Sequence, residues 1–174
     1  VTLFLPMSAY AVEGPVLTCR NAILIDATYD EVLYDKGAYE KVYPASITKV
    51  MTALLVLEAM DAGQLTLDTP VTATAEALEV PEDSSVAGIQ VGDTYTVEQF
   101  LYCLLLPSGN EVAQILAITV DGSIEAFVEH MNRRAEELGC QGTHFVNPHG
   151  YHDDNHYTTA YDITRFMKAA MEYD

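Results

Sequence analysis

Basic side chains are scarce in this sequence. Eight Lys and Arg stand against 26 Asp and Glu, a formal charge of −18 over 174 residues. A phosphate backbone needs a basic patch, so nucleic acid is excluded as a partner. An anionic membrane surface is disfavoured for the same reason. Cysteine is also sparse: Cys19, Cys103 and Cys140 are widely spaced and form no C-x-x-C. A redox pair and a zinc knuckle are therefore unsupported, and the three are expected to be small buried side chains. Long apolar runs are missing, so no segment is predicted to span a membrane. No internal repeat or low-complexity tract breaks the chain. With 49% apolar residues, a chain of this length buries enough surface to fold without metal or disulfide.

The first eleven residues run from an apolar Val1–Leu5 stretch to Ala9-x-Ala11. This pattern looks like the back half of a secretory signal peptide, with residues 1–11 as its remnant and residues 12–174 as the domain. On that expectation the mature protein works outside the cytoplasm. An ordinary first strand or a disordered leader would read the same way.

Downstream, Asn21–Ala27 and Glu31–Asp35 are predicted to pair as a β-hairpin. Ser46 starts a helical pattern in which Val50, Met51, Leu54, Leu55, Leu57 and Met60 recur, and Gly63 closes it. That helix is apolar nearly all round and so reads as buried. Leu65–Gly92 is mostly loops and short strands. Thr96-x-x-Gln99 is a capping-box start for a helix to Leu106. Pro107-Ser108-Gly109 breaks it, and a second helix runs from Asn110 to Val120. Ser123 caps a third helix through Leu138. After a polar loop over Gln141–Tyr157, Thr159-x-x-Asp162 caps a last helix, read as reaching Asp174.

Two motifs carry chemistry. In Ser46-Ile47-Thr48-Lys49 the serine and lysine fall one helical turn apart on one face. A serine at a helix N-terminus sits where free N–H groups favour developing negative charge. It needs an adjacent base, which a buried lysine of lowered pKa can supply. Lys49 is the lone Lys or Arg between Lys41 and Arg133. A capping serine beside a solvated lysine would give the same spacing. Ser108-Gly109-Asn110 places a hydroxyl and an amide across a glycine, able to pass a proton and to hold a carbonyl or a lysine. Alternatively Ser108 or Asn110 merely caps the following helix.

Together these segments resemble the serine penicillin-recognising superfamily, which carries S-x-x-K, then S-x-N, then K-T-G. Pro44-Ala45-Ser46-Ile47-Thr48-Lys49-Val50-Met51 and Leu106-Pro107-Ser108-Gly109-Asn110-Glu111-Val112-Ala113 look like the first two motifs of low-molecular-weight penicillin-binding proteins, the D-alanyl-D-alanine carboxypeptidases. Asn147-Pro148-His149-Gly150 and His156–Asp162 resemble the later stretch of that family. The resemblance implies an α/β (α+β) fold of the β-lactamase/transpeptidase type, with a helical region and the N-terminal strands of an antiparallel sheet. K-T-G is absent; in the family it lies on a later cleft-lining strand. Residues 12–174 are thus expected to be the N-terminal part of the domain, with the C-terminal strands missing from this chain.

The resemblance also implies an activity: removal of the terminal D-alanine from peptidoglycan stem peptides. Ser46 would be the nucleophile, Lys49 its base, Ser108 a proton relay and Asn110 the substrate-binding amide. β-Lactam antibiotics would acylate Ser46. No cofactor is implied, the location is secreted or on the extracytoplasmic face of the bacterial membrane, and any membrane attachment is through an anchor not present in this chain. Two rivals remain on the same fold: a serine β-lactamase, which shares the first motif but usually carries aspartate where Gly109 stands in class A enzymes, and a non-catalytic penicillin-binding-like domain. His144, His149, His152 and His156 with Asp153 and Asp154 raise a metal site, but their spacing fits no common zinc signature and none is expected. The charges of the Ser123–Leu138 helix, Glu125 to Glu137, are read as a solvated face.

Overall fold

The computed structural model describes residues 14–173. Strands β1 (Ala22–Asp26) and β2 (Glu31–Lys36) form the expected antiparallel hairpin. Its turn is closed by Asp26, whose Oδ1 accepts the N–H groups of Thr28 and Tyr29 at 2.8 and 3.3 Å. Helix α1 (Thr48–Asp61) follows a short 3₁₀ turn at Ala45–Ile47. Strands β3 (Pro70–Thr72) and β4 (Thr94–Thr96) pair antiparallel. Then come α2 (Val97–Leu105), α3 (Asn110–Asp121), α4 (Ile124–Glu137) and α5 (Ala160–Ala170). The predicted α/β class holds, as a helical body with two small antiparallel sheets.

Helix α1 is the axis of the molecule. One side, with Ala53 and Val56, packs into a cluster with Phe100 and Leu104 of α2 and Val112 and Leu116 of α3. The other side, with Met51, Leu54 and Leu55, packs against Phe127 and Met131 of α4, Phe145, and Phe166 of α5. A helix clasped between two cores has no polar stripe to show, which explains its apolar circumference. Leu54, Leu55 and Val56 are all fully buried.

Local chemistry sets the ends of the helices. Thr96 and Gln99 make the reciprocal capping box expected for α2. Ser123 accepts from Ala126 N–H and Thr159 from Asp162 N–H, at 3.1 and 3.0 Å. Gly122 and Gly139 follow α3 and α4 with positive φ, 81° and 80°.

Four expectations need correction. The helical pattern begins at Thr48 rather than Ser46, because Ala45 takes a left-handed φ of 48° and the chain enters through one 3₁₀ turn. Helix α5 stops at Ala170; the N–H groups of Glu172 and Tyr173 bond three residues back, and Tyr173 folds onto the α4–α5 core. The cysteines are free and none is fully buried: Cys19 is exposed in the segment before β1, and Cys103 and Cys140 are half-buried. On α4, Glu125, Glu129, Arg133, Glu136 and Glu137 are solvated as expected, but Arg134 turns inward to pair with Glu58 of α1 at 2.8 Å. The signal-peptide expectation falls on residues 1–11, outside the described residues. No described helix is long and apolar enough to cross a membrane.

Candidate active site

Ser46 and Lys49 stand where α1 begins, and both are positioned by the 3₁₀ turn. Pro44 fixes the entry; Ile47 N–H donates to Pro44 O at 3.1 Å. Ser46 is exposed at the floor of a cleft of about 230 Å³, lined also by Ala45, Asn110, His149, Gly150 and Tyr151. A larger cavity of about 380 Å³ lies elsewhere, beside Tyr161, Asp162 and Arg165, and includes none of the four candidate residues.

Lys49 is 2% exposed, which is rare for a lysine. Its Nζ lies 2.7 Å from Asn110 Oδ1, 3.1 Å from the His149 carbonyl and 3.4 Å from Ser46 Oγ. Burial pushes its pKa down from 10.5 to about 8, while the nearby Glu111 charge pulls the other way. A neutral amine has two N–H bonds and one lone pair. Asn110 and His149 accept the two N–H bonds, which leaves the lone pair for the Ser46 hydroxyl. With a pKa about one unit above neutrality, about one molecule in ten carries the free amine at pH 7.

The segment Pro107–Gly109 joins α2 to α3, and Gly109 is the N-cap of α3 with no side-chain cap bond. Neither Ser108 nor Asn110 is therefore a capping residue, and the simpler explanation for that motif fails. Ser108 sits at φ 60°, a strained conformation for a side chain other than glycine, and its Oγ is buried with no hydrogen-bond partner. Asn110 is 6% exposed and its amide oxygen holds Lys49. A Cβ at Gly109 would lie 2.8 Å from Val112 Cγ2 and 3.2 Å from Cys103 O, so the turn leaves no room for aspartate without a shift.

The third wall is the loop between α4 and α5. Asn147 organises it: Oδ1 accepts from His149 and Gly150 N–H at 3.3 and 2.6 Å, and Nδ2 donates to Tyr151 O at 2.9 Å. Thr52 of α1 donates to Pro148 O at 2.5 Å. Gly150, at φ 88°, presses on the Ala45 carbonyl, where a Cβ would collide.

The histidines of this loop have separate tasks. His156 is 1% exposed; its Nδ1 accepts Val146 N–H at 3.1 Å, so the neutral ring carries its proton on Nε2, 2.8 Å from Thr48 Oγ1. His149 Nδ1 accepts Tyr151 N–H at 3.1 Å. Burial lowers both rings from 6.5 to about 4; for His149 the Lys49 charge adds to the effect. His152 is exposed and stacks edge-on against Tyr43. Among the described residues, no three His, Cys, Asp or Glu side chains converge as a metal cluster.

The structure thus brings Ser46, Lys49 and Asn110 into one hydrogen-bonded set, with Ser108 on the adjoining turn. Sequence reasoning missed the His149 carbonyl as a lysine partner, the Thr48–His156 bond and Glu111. The Asn147–Gly150 block was the signal nearest to the first, but a backbone acceptor leaves no trace in residue type.

Comparison with known proteins agrees with this geometry. The family described as D-alanyl-D-alanine carboxypeptidase matches residues 8–174. The carboxypeptidase DacF of Bacillus subtilis is 36% identical over 159 residues, covering 89% of this chain and 39% of that protein. Penicillin-binding protein 5 of Haemophilus influenzae superposes with a TM-score of 0.89 at 28% identity, over 93% of this chain and 47% of that one. Penicillin-binding protein D2 of Listeria monocytogenes, solved in an ampicillin-bound form, gives 0.79 at 27% identity over 92% of this chain and 64% of that one. The chain spans about two fifths of the length of DacF. A match over nearly the whole sequence, with the S-x-x-K and S-x-N segments meeting in one cleft, places this chain in the D-alanyl-D-alanine carboxypeptidase family.

Proposed function

We propose that the protein to which this chain belongs is a serine-type D-alanyl-D-alanine carboxypeptidase acting on peptidoglycan stem peptides outside the cytoplasm. The observation that carries the reading is the Lys49 amine, buried and held by Asn110 and His149 with its third position toward Ser46 Oγ. Ser46 attacks the carbonyl between the terminal D-alanines as Lys49 takes its proton. The Ser46 N–H, at the entrance to α1, faces the developing oxyanion. Ser108, an unpartnered hydroxyl beside the cleft, passes a proton to the leaving D-alanine amine, and Asn110 orients the substrate amide. Water then resolves the ester. The 3.4 Å between Lys49 and Ser46 is long for proton transfer and closes as substrate binds, a common feature of sites without substrate.

β-Lactams are acyl donors of the same shape, and the ampicillin-bound relative supports the same chemistry here. The test is fluorescent-penicillin labelling of the full-length protein, together with D-alanine release from a pentapeptide. Wild type should take the label and release D-alanine, and Ser46→Ala should do neither. Undiminished labelling of Ser46→Ala overturns the nucleophile; hydrolysis of a chromogenic cephalosporin without D-alanine release overturns the carboxypeptidase in favour of a β-lactamase.

A further inference from the structure

Resting on the acylation just described, we propose that Glu111 is a positioning residue for it, pinning the 85–88 segment that backs the cleft wall and setting the charge that the buried Lys49 faces. Glu111 is the second residue of α3, directly after Asn110, and it is 2% exposed. A buried carboxylate is costly unless it is paired and hydrogen-bonded. Its Oε1 accepts the N–H groups of Ala87 and Gly88 at 2.6 and 3.0 Å. A neighbour on the same helix straps the same segment, Asn110 N–H donating to Ser85 O at 2.8 Å, and Gln114 Nε2 holds the chain that leads to it, through Glu79 O at 3.4 Å. Residues 83–85 line the cleft, and Asp83 Oδ1 accepts from the Tyr151 hydroxyl of its loop wall at 2.8 Å. The wall residues 83–85 are therefore tied to α3 at Ser85 by Asn110, and Glu111 fixes the chain just behind them, at Ala87 and Gly88.

The other carboxylate oxygen, Oε2, is buried with no hydrogen-bond partner. It lies 3.1 Å from where a Cβ on Gly109 would stand, so the carboxylate folds back over the Ser108–Gly109 turn. Its charge is felt by Lys49, whose own partners, Asn110 and His149, offer neutral oxygens. The titratable groups facing Lys49 are Glu111 from α3 and His149 from the α4–α5 loop. His149 is neutral above about pH 4, so near neutral pH the charge opposite the lysine is that of Glu111. Without it, burial acts unopposed and the amine loses its proton more easily.

Glu111→Gln keeps an oxygen for Ala87 and Gly88 and removes the charge; Glu111→Ala removes both. Acylation rates with fluorescent penicillin against pH, read in the full-length protein, separate the two roles. Wild type should show an acid limb near the Lys49 value. Glu111→Gln should move that limb down by more than half a unit while keeping its maximal rate within about threefold. Glu111→Ala should lose the maximal rate by tenfold or more and expose the Ala87 and Gly88 amides to faster hydrogen exchange. A Glu111→Gln limb that coincides with wild type, in a protein with an unchanged melting temperature, overturns the proposal. So does wild-type amide protection in Glu111→Ala. If wild type takes no label, the acylation reading fails instead. The Lys49 titration, followed by the ¹³Cε shift, then still decides whether Glu111 sets the lysine charge.

Discussion

The corner formed by α1, α3 and the α4–α5 loop spends its sequence differently from the β1–β2 hairpin. In the corner, polar side chains are buried and most are fixed by named partners: Lys49, Asn110, His149, His156 and Thr48 are all at most 6% exposed. In the hairpin, apolar side chains are out in solvent: Leu24 is 57% and Leu33 56% exposed. The corner holds its groups through side chain–backbone bonds across long sequence separations, such as Lys49 to His149 O and Thr52 to Pro148 O. The hairpin is held by its own ladder, by Lys36 reaching back to the Leu17 and Cys19 carbonyls, and by Asp30 against Lys168 of α5. A substitution should therefore be felt in the corner as a geometric failure and in the hairpin as almost nothing.

The sharpest break of that contrast is at Gly150. Its φ of 88° disfavours any side chain, and a Cβ would strike the Ala45 carbonyl and approach Thr48 Oγ1. Gly150→Ala should cost about 3 kcal/mol or more and abolish penicillin labelling, since Ala45 precedes Ser46. Gly63, at φ 74° after α1, has nothing near its Cβ position. Gly63→Ala should cost about 1 kcal/mol, from backbone strain alone. Urea unfolding of both variants measures the difference; equal losses would show that the loop–turn contact contributes nothing.

Acid should come next. His149 and His156 have native pKa values of about 4, below the ordinary 6.5. Between those values the unfolded chain binds more protons, so stability rises with pH across the window. Their neutral burial is at full advantage above about pH 6.5, is lost progressively as the pH falls, and is gone below about 4. The two together should remove a few kcal/mol over that range. Thermal melts at pH 7, 5.5 and 4 follow the loss, and His156→Gln should flatten the curve. An unchanged slope in that variant would mean that the ring is already charged in the fold.

The difference between the regions also decides what the sequence reveals. The hairpin and helices are local matters: the short apolar run in Asn21–Ala27, the Thr96–Gln99 box and Gly139 after α4 each predict their element from a few neighbours. Ser46, Lys49, Ser108 and Asn110 are legible because the chemistry demands particular side chains at fixed spacing within two short segments. The rest of the corner is not, because His149 contributes a carbonyl, Gly150 contributes the absence of a Cβ, and Glu111 acts on residues more than 20 positions away. The exposed Cys19 shows the converse failure, in which a residue type usually found inside sits at a surface bend just before β1.

Leu33 marks the quiet end of the comparison. The β1–β2 register steps from Leu24↔Tyr34 to Ile25↔Val32, so Leu33 is the extra residue of a β-bulge. A bulged residue has no cross-strand partner, and its strand bends away there. An apolar side chain without a partner and more than half exposed adds little to folding, because little of its surface leaves water. Leu33→Thr should therefore change stability by less than about 0.5 kcal/mol, whereas Leu54→Ala, in the fully buried middle of α1, should cost 2 to 5, by about the usual core range. Urea midpoints of the two variants make the test. A Leu33→Thr loss approaching that of Leu54→Ala would show that the hairpin face is covered in the folded protein, and the contrast between corner and hairpin would then lie in what each one packs against rather than in how each one is held.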